Sequence, residues 1–126
     1  MILDSSAILG VILEEHDAEQ LVDRLRSQAS LGVGAATLAE AAIVLGTRIG
    51  FDKLAALTGF LQTFQVEIIP FSDLHWRAAC SAYQLYGKGR HPASLNFGDC
   101  LSYATAKLAG QSLFYVGNDF VKTDLG

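Results

Sequence analysis

Four acidic residues stand at positions from which carboxylates could act together. Asp4 ends the opening run Met1-Ile2-Leu3-Asp4, Glu40 lies one helical turn beyond the apolar segment at 31–35, Asp99 closes Asn96-Phe97-Gly98-Asp99, and Asp119 follows Leu113-Phe114-Tyr115-Val116-Gly117-Asn118. Asp4, Glu40 and Asp119 follow short apolar runs that read as strands, while Asp99 opens a helical pattern. In a parallel α/β sheet, ligands bind outside the carboxyl ends of the strands. Carboxylates from four distant segments are therefore expected on one edge of the sheet. Oxygen donors of this kind suit a hard divalent ion such as Mg²⁺ or Mn²⁺ rather than zinc. Such an ion can bridge a phosphodiester, lower the pKa of a bound water and stabilise charge on the leaving oxygen. Metal-dependent phosphodiester hydrolysis is the reaction this set serves best.

Each acid also has a purely structural use. Thr37-Leu38-Ala39-Glu40 fits a capping box, in which a glutamate at the third helical position bonds back to the cap residue. Asn96 and Asp99 form a looser version, with Asp99 favoured by the helix dipole. Asp4 could serve as an N-cap, and Asp119 as a turn residue. Capping accounts for the acids one at a time. It does not account for four of them on one edge, where they repel one another unless a cation is present.

These residues need a scaffold, and short apolar runs alternating with helical patterns predict one. Strands are expected at 1–4, 31–35, 66–70 and 112–116, with helices at 5–14, 17–29, 37–49, 51–64, 73–87 and 97–109 and a short helical turn after 118. This alternation is the signature of an α/β fold, a parallel sheet with crossover helices. Trp76, Ala79, Cys80 and Tyr83 fall at i, i+3, i+4 and i+7, an apolar helix face. Leu54, Leu57, Leu61 and Phe64 form another such stripe, and Leu101, Ala104 and Leu108 a third. The 37–49 helix is apolar on two sides, with Leu38, Ala42, Leu45 and Ile49 on one and Ile43 and Val44 on the other. Burial of both sides is the simplest expectation, and a dimer or partner surface the other.

The chain has 126 residues, about one domain by length, and 51% of them are hydrophobic, so a core can form. Only 17% are charged, against ~25% for typical soluble proteins, which leaves apolar surface for a partner. Nine basic and thirteen acidic residues give a net charge of -4, which argues against a sequence-blind, cationic nucleic-acid binder. Setting aside the four proposed site acids leaves nine acids against nine bases, a neutral remainder. No apolar run is long enough for a membrane span, and Asp4, Glu14 and Glu15 do not suit a secretory leader. A cytoplasmic protein is expected. Cys80 and Cys100 lack metal-ligand spacing and are expected as buried free thiols.

The longest irregular stretch, 87–96, is basic and expected to be flexible; its Lys88, Arg90 and His91 are the basic residues nearest Asp99 in the chain. Phosphate contact, for which arginine suits bidentate recognition, and a solvated loop are both open readings for them. His16, His75 and His91 lack a nucleophile context, and His75 is expected on the face of its helix with no chemical role.

The segments Met1–Ala7, Thr37–Ala41, Arg90–Cys100 and Gly117–Phe120 with Thr123-Asp124 resemble the motifs of PIN-domain ribonucleases, and in particular those of VapC toxins of bacterial toxin–antitoxin pairs. The resemblance spans nearly the whole chain in order and spacing, and Asn96-Phe97-Gly98-Asp99 is its most specific part. It implies a single three-layer α/β/α domain over 1–126 with a short parallel sheet flanked by helices. It also implies a Mg²⁺- or Mn²⁺-dependent endoribonuclease silenced by a cognate antitoxin, and a homodimer. Asp4, Glu40, Asp99 and Asp119 match the family's acidic quartet, with Asp4 and Asp99 as its most consistent metal ligands. Ser6 matches a hydroxyl near the first acid, and Asp124 competes with Asp119 for the fourth position. Two other classes compete with this reading: a non-catalytic interaction module whose acids are only caps, and a receiver-type phosphoacceptor domain.

Overall fold

Four short strands, β1 (Ile2–Leu3), β2 (Gly32–Gly34), β3 (Glu67–Ile69) and β4 (Leu113–Phe114), form one all-parallel sheet in the order β3-β2-β1-β4. The computed structural model describes residues 1–126. The strands are joined by α1 (Ser5–Ile12), α2 (Ala18–Arg26), α3 (Ala35–Ile49), α4 (Ala55–Thr63), α5 (Asp73–Tyr86) and α6 (Phe97–Ala109). The register sets Ile2 beside both Gly32 and Leu113, and Leu3 beside Phe114. Because successive strand side chains point to opposite faces, the sheet feeds two cores. Leu3, Val33 and Phe114 pack with Ile8, Leu21, Leu25, Leu45, Leu57 and Phe60 from α1 to α4. Ile2 and Leu113 pack on the other face with Ala82 of α5 and Cys100, Tyr103 and Ala106 of α6. The result is the expected three-layer α/β/α arrangement. Fully buried residues such as Leu3 and Ile8 each stabilise it by about 1.5–3 kcal/mol.

Helix limits differ from the periodic reading where backbone chemistry intervenes. The first helix ends at Ile12, since Glu14 takes a left-handed conformation, φ 49°. The 51–64 pattern divides into a 3-10 turn at Phe51–Lys53 followed by α4. The third helix starts at Ala35, two residues early, with the extended Gly34 as its N-cap. Thr37 is therefore inside the helix, and the capping box expected from Thr37 and Glu40 does not form. Gly34 has a second role. A β-carbon there would press on Thr105 of α6, so its absence lets α6 lie close against β2.

The largest departures concern what the helix faces meet. On α3, Leu45 is buried and Val44 packs partly buried against the same core, but Ile43 is 60% exposed, so the second apolar side is covered only in part. On α5, Trp76 is 51% exposed and the buried residue is Ala82. The Trp76, Ala79, Cys80 and Tyr83 stripe instead walls an open, wholly apolar groove of about 420 Å³, completed by Phe71, Phe97, Cys100 and Leu101. Cys80 is thus exposed, contrary to expectation, while Cys100 is buried. Helix α6 is buried from Gly98 to Ala106 on every side, and Leu108 of its expected stripe is exposed. The 87–96 segment is also ordered by backbone bonds, Lys88 N–H to Leu95 O at 2.9 Å and Leu95 N–H to Tyr86 O at 2.9 Å, and is anchored by the fully buried Leu95. No helix is long and apolar enough to cross a membrane.

Candidate active site

The first strand is two residues long, and Asp4 follows it as the N-cap of α1. Its extended backbone turns the carboxylate back over the helix start. There Oδ2 accepts hydrogen bonds from the Ser6 N–H at 3.2 Å and the Ser6 Oγ at 2.6 Å. Oδ1 accepts from the Ser102 Oγ of α6, also at 2.6 Å. Ser6 Oγ in turn accepts from the Val116 N–H at 3.0 Å, tying the end of β4 to the same corner. Ser102 is fully buried and stands 3.2 Å from the hydroxyl of Thr37, on α3.

Asp99 occupies the third position of α6. The expected Asn96–Asp99 capping box forms: Asp99 Oδ2 accepts from the Asn96 N–H at 3.0 Å, and Asn96 Oδ1 accepts from the Asp99 N–H at 2.9 Å. The cap leaves Asp99 Oδ1 without a hydrogen-bond donor. Burial pushes the Asp99 carboxyl up to about 6 against the pull of the Asn96 hydrogen bond, and the charges of Asp119, Asp4 and Glu40 raise it further. The other three acids of the expected quartet therefore lie within electrostatic reach of Asp99.

Glu40 reaches this corner from one turn into α3. It is half-buried, and its carboxylate lies over the first turn of α6, where Gly98 has no side chain to obstruct it. It caps nothing, so the structural use proposed for it from the sequence is absent. Asp119 projects from the exposed turn after β4. Asp124 is engaged elsewhere: Tyr103 Oη donates to its Oδ1 at 2.6 Å and Lys107 Nζ to its Oδ2 at 2.8 Å. These partners hold its carboxyl below the usual range, Lys107 contributing most and Tyr103 next.

Lys88 and Arg90 are exposed on the loop before α6, and neither makes an ion pair. His91 accepts from the Ala93 N–H at 3.0 Å and packs edge-on against Tyr86, a structural role. His75 has a structural role, its Nδ1 accepting from the Ser72 N–H at 3.1 Å to complete the cap of α5. Burial pushes the Cys100 thiol up to about 11, which suits a core residue and not a nucleophile.

Sequence reasoning missed Ser102 and Thr37 as members of this corner. The available signal was a serine among the apolar residues in the middle of the helix, three residues after Asp99, where a buried hydroxyl needs a partner.

The donor set is all hard oxygen, gathered at the carboxyl ends of β1, β2 and β4. No three acidic, histidine or cysteine side chains are drawn close enough to grip an ion as they stand. A divalent cation nevertheless fits the chemistry of the corner, because it would offset both the burial and the neighbouring acids that raise Asp99. The sheet order differs from the 2-1-3-4-5 order of receiver-like doubly wound domains.

The chain matches the model of the PIN domain over residues 1–125. It is 38% identical over 125 residues to a ribonuclease VapC of Mycolicibacterium smegmatis, covering 99% of this chain and 97% of that one. It is 41% identical over 132 residues to ribonuclease VapC36 of Mycobacterium tuberculosis, covering 99% and 91%. Among solved structures it is similar to Mycobacterium tuberculosis VapC20, a Sarcin-Ricin loop cleaving toxin, with a TM-score of 0.73 at 18% identity over 95% of this chain and 92% of that one. A toxin-antitoxin complex from Klebsiella pneumoniae gives a TM-score of 0.71 at 16% identity over 98% and 92%. The structural likeness carries the fold, the sequence likeness carries the family, and together they make this chain a member of the PIN-domain family, among the VapC ribonucleases.

Proposed function

We propose that this protein is the toxin of a toxin–antitoxin pair, an endoribonuclease whose carboxylates Asp4, Glu40, Asp99 and Asp119 hold Mg²⁺ or Mn²⁺ to cut RNA. The observation that carries this reading is the convergence on Asp99. A carboxyl is buried at a helix start and pushed up to about 6, with three other acids adding to the shift. An arrangement of like charges this unfavourable has a use when a cation is present, and capping does not account for Glu40. When bound, the ion would supply a water of lowered pKa and would neutralise charge on the phosphate. The chain's own contribution is to orient the acids. Ser6 and Ser102 hold Asp4, Asn96 holds Asp99, and Gly98 leaves room for Glu40.

The VapC ribonucleases it resembles support RNA as the substrate. The neighbour solved as a toxin-antitoxin complex supports an antitoxin partner, whose tail would enter the acidic corner. Exposed apolar residues, Ile43 on α3 and Trp76 and Phe97 beside the groove, support a homodimer. We assign the whole of 1–126 to one domain acting in the cytoplasm. Purified protein is expected to cut RNA with Mg²⁺ or Mn²⁺ and to stop in chelator, and Asp4→Asn and Asp99→Asn are expected to abolish cutting. Cleavage that survives chelation or both substitutions would overturn the metal mechanism. A monomer in light scattering at micromolar concentration would overturn the homodimer.

A further inference from the structure

A carboxylate such as that of Asp4 has about four acceptor positions, two on each oxygen. Oδ2 uses both of its positions on Ser6, through the N–H and the hydroxyl. Oδ1 uses one on Ser102. The single remaining acceptor position of this buried carboxylate is therefore on Oδ1, the atom that Ser102 grips at 2.6 Å.

Ser102 has one hydroxyl proton, and the carboxylate can only accept, so that proton goes to Asp4. In the 3.2 Å contact between Thr37 and Ser102, Thr37 must then be the donor. Both hydroxyls are buried, at 1% exposure for Thr37 and 0% for Ser102, and no other side chain bonds to either. The hydrogen bonds thus run in one direction, from Thr37 on α3 to Ser102 on α6 to Asp4 after β1. A third buried hydroxyl, Thr105, lies one turn along α6. It bonds only to the Leu101 carbonyl of its own helix, at 2.9 Å.

We infer that Ser102 and Thr37 are positioning residues which aim the one free acceptor position of Asp4 at the metal, Thr37 acting only through Ser102. The inference rests on the metal-dependent reading proposed above. Hydrogen bonds behind a metal ligand fix its orientation, and their loss commonly weakens metal binding by about 10–100-fold.

The test is Mn²⁺ affinity of the purified chain by titration calorimetry, with melting temperatures measured in chelator. Ser102→Ala is expected to weaken Mn²⁺ binding about tenfold, and Thr37→Val about threefold. Thr37→Ser, which keeps the hydroxyl and loses a methyl, is expected to hold the wild-type affinity while melting lower. A packing role would reverse the order of those two, because valine keeps the volume of threonine. Adding Thr37→Val to Ser102→Ala is expected to change affinity no further, the non-additivity of residues acting in series. Thr105→Val is expected to lower the melting temperature and leave Mn²⁺ affinity alone.

Wild-type affinity in folded Thr37→Val would overturn the inference, as would equal weakening by Thr105→Val. These comparisons stand even where Ser102→Ala does not fold. A wild-type chain that binds no Mn²⁺ would overturn the metal reading itself, a result separate from the ranking of the variants.

Discussion

The carboxylate of Glu40 fills the space that a β-carbon on Gly98 would occupy, well inside any van der Waals contact. The residue before Asp99 therefore decides where an acid from another helix can rest. Gly98→Ala would force Glu40 outward, away from Asp99. Alanine is also the better helix former, by about 1 kcal/mol in a helix interior. The expected outcome is RNA cleavage reduced tenfold or more, the loss typical when a metal site is disturbed, with a melting temperature held or raised. Cleavage at the wild-type rate would show that Glu40 need not rest there.

Asp99 makes the metal-free protein pH-sensitive in a definite direction. Its folded pKa of about 6 lies above the ordinary 3.8, so the folded state binds this proton more tightly than the unfolded state does. Well below pH 3.8, the group is neutral in both states and costs nothing. As pH rises towards 6 the folded protein must ionise a buried acid among other acids, and stability falls. About 2 pKa units correspond to about 1–3 kcal/mol. An asparagine in place of Asp99 would keep an oxygen acceptor for the Asn96 N–H and carry no charge. In chelator, Asp99→Asn is therefore expected to match the wild type well below pH 3.8 and to melt higher above pH 6, while its activity is lost. Adding Mn²⁺ at pH 7 is expected to raise the wild-type melting temperature and leave Asp99→Asn unchanged. A variant that melts lower at pH 7 would refute the electrostatic account.

Much of this site is legible in the sequence because its chemistry is local. Asp4 and Asp99 each meet the end of an element, and the pair Asn96 and Asp99 states its own cap. The strands are legible as short apolar runs, and the sheet joins them in parallel as the helical crossovers require. What escaped the sequence depends on facts that periodicity does not encode. A pattern such as Trp76, Ala79, Cys80 and Tyr83 says that a helix face is apolar, but not whether this chain covers it. The Thr37 to Glu40 spacing satisfies a capping box, yet Gly34 starts the helix earlier and releases both side chains. Thr37 then turns to Ser102, 65 residues away, and Glu40 to Gly98. Long-range pairings of this sort have no local signature.

Asp119 and Asp124 are separable by their partners. Asp124 ties the last turn of the chain to α6 through Tyr103 and Lys107, while the charge of Asp119 reaches Asp99. Asp119→Asn is expected to cut RNA cleavage by at least tenfold with little change in melting. Tyr103→Phe removes one bond to a half-exposed carboxylate and is expected to cost about 1 kcal/mol of stability with cleavage kept. Because Lys107 and Tyr103 hold the Asp124 carboxyl low, its stabilising contribution is present at neutral pH and is lost as pH falls through the folded pKa. The melting difference between Tyr103→Phe and wild type should accordingly shrink in acid. Loss of cleavage in Tyr103→Phe with stability intact would bring Asp124 back as the fourth acid.

Lys88 and Arg90 offer charge without a partner, on a loop whose backbone is held by Leu95 and which leads directly into Asn96 and Asp99. A pre-ordered loop loses little entropy when a phosphate arrives. If both residues meet the RNA backbone, the double variant Lys88→Ala with Arg90→Ala should raise KM severalfold and leave Mn²⁺ affinity unchanged, because neither side chain touches the acids. The salt dependence of RNA binding is the sharper measure. Each phosphate contact on a single strand contributes about 0.7 to the slope of log affinity against log salt. Removing two contacts should flatten that slope by about 1.4, and an unchanged slope would mark the pair as solvated residues with no hold on the substrate.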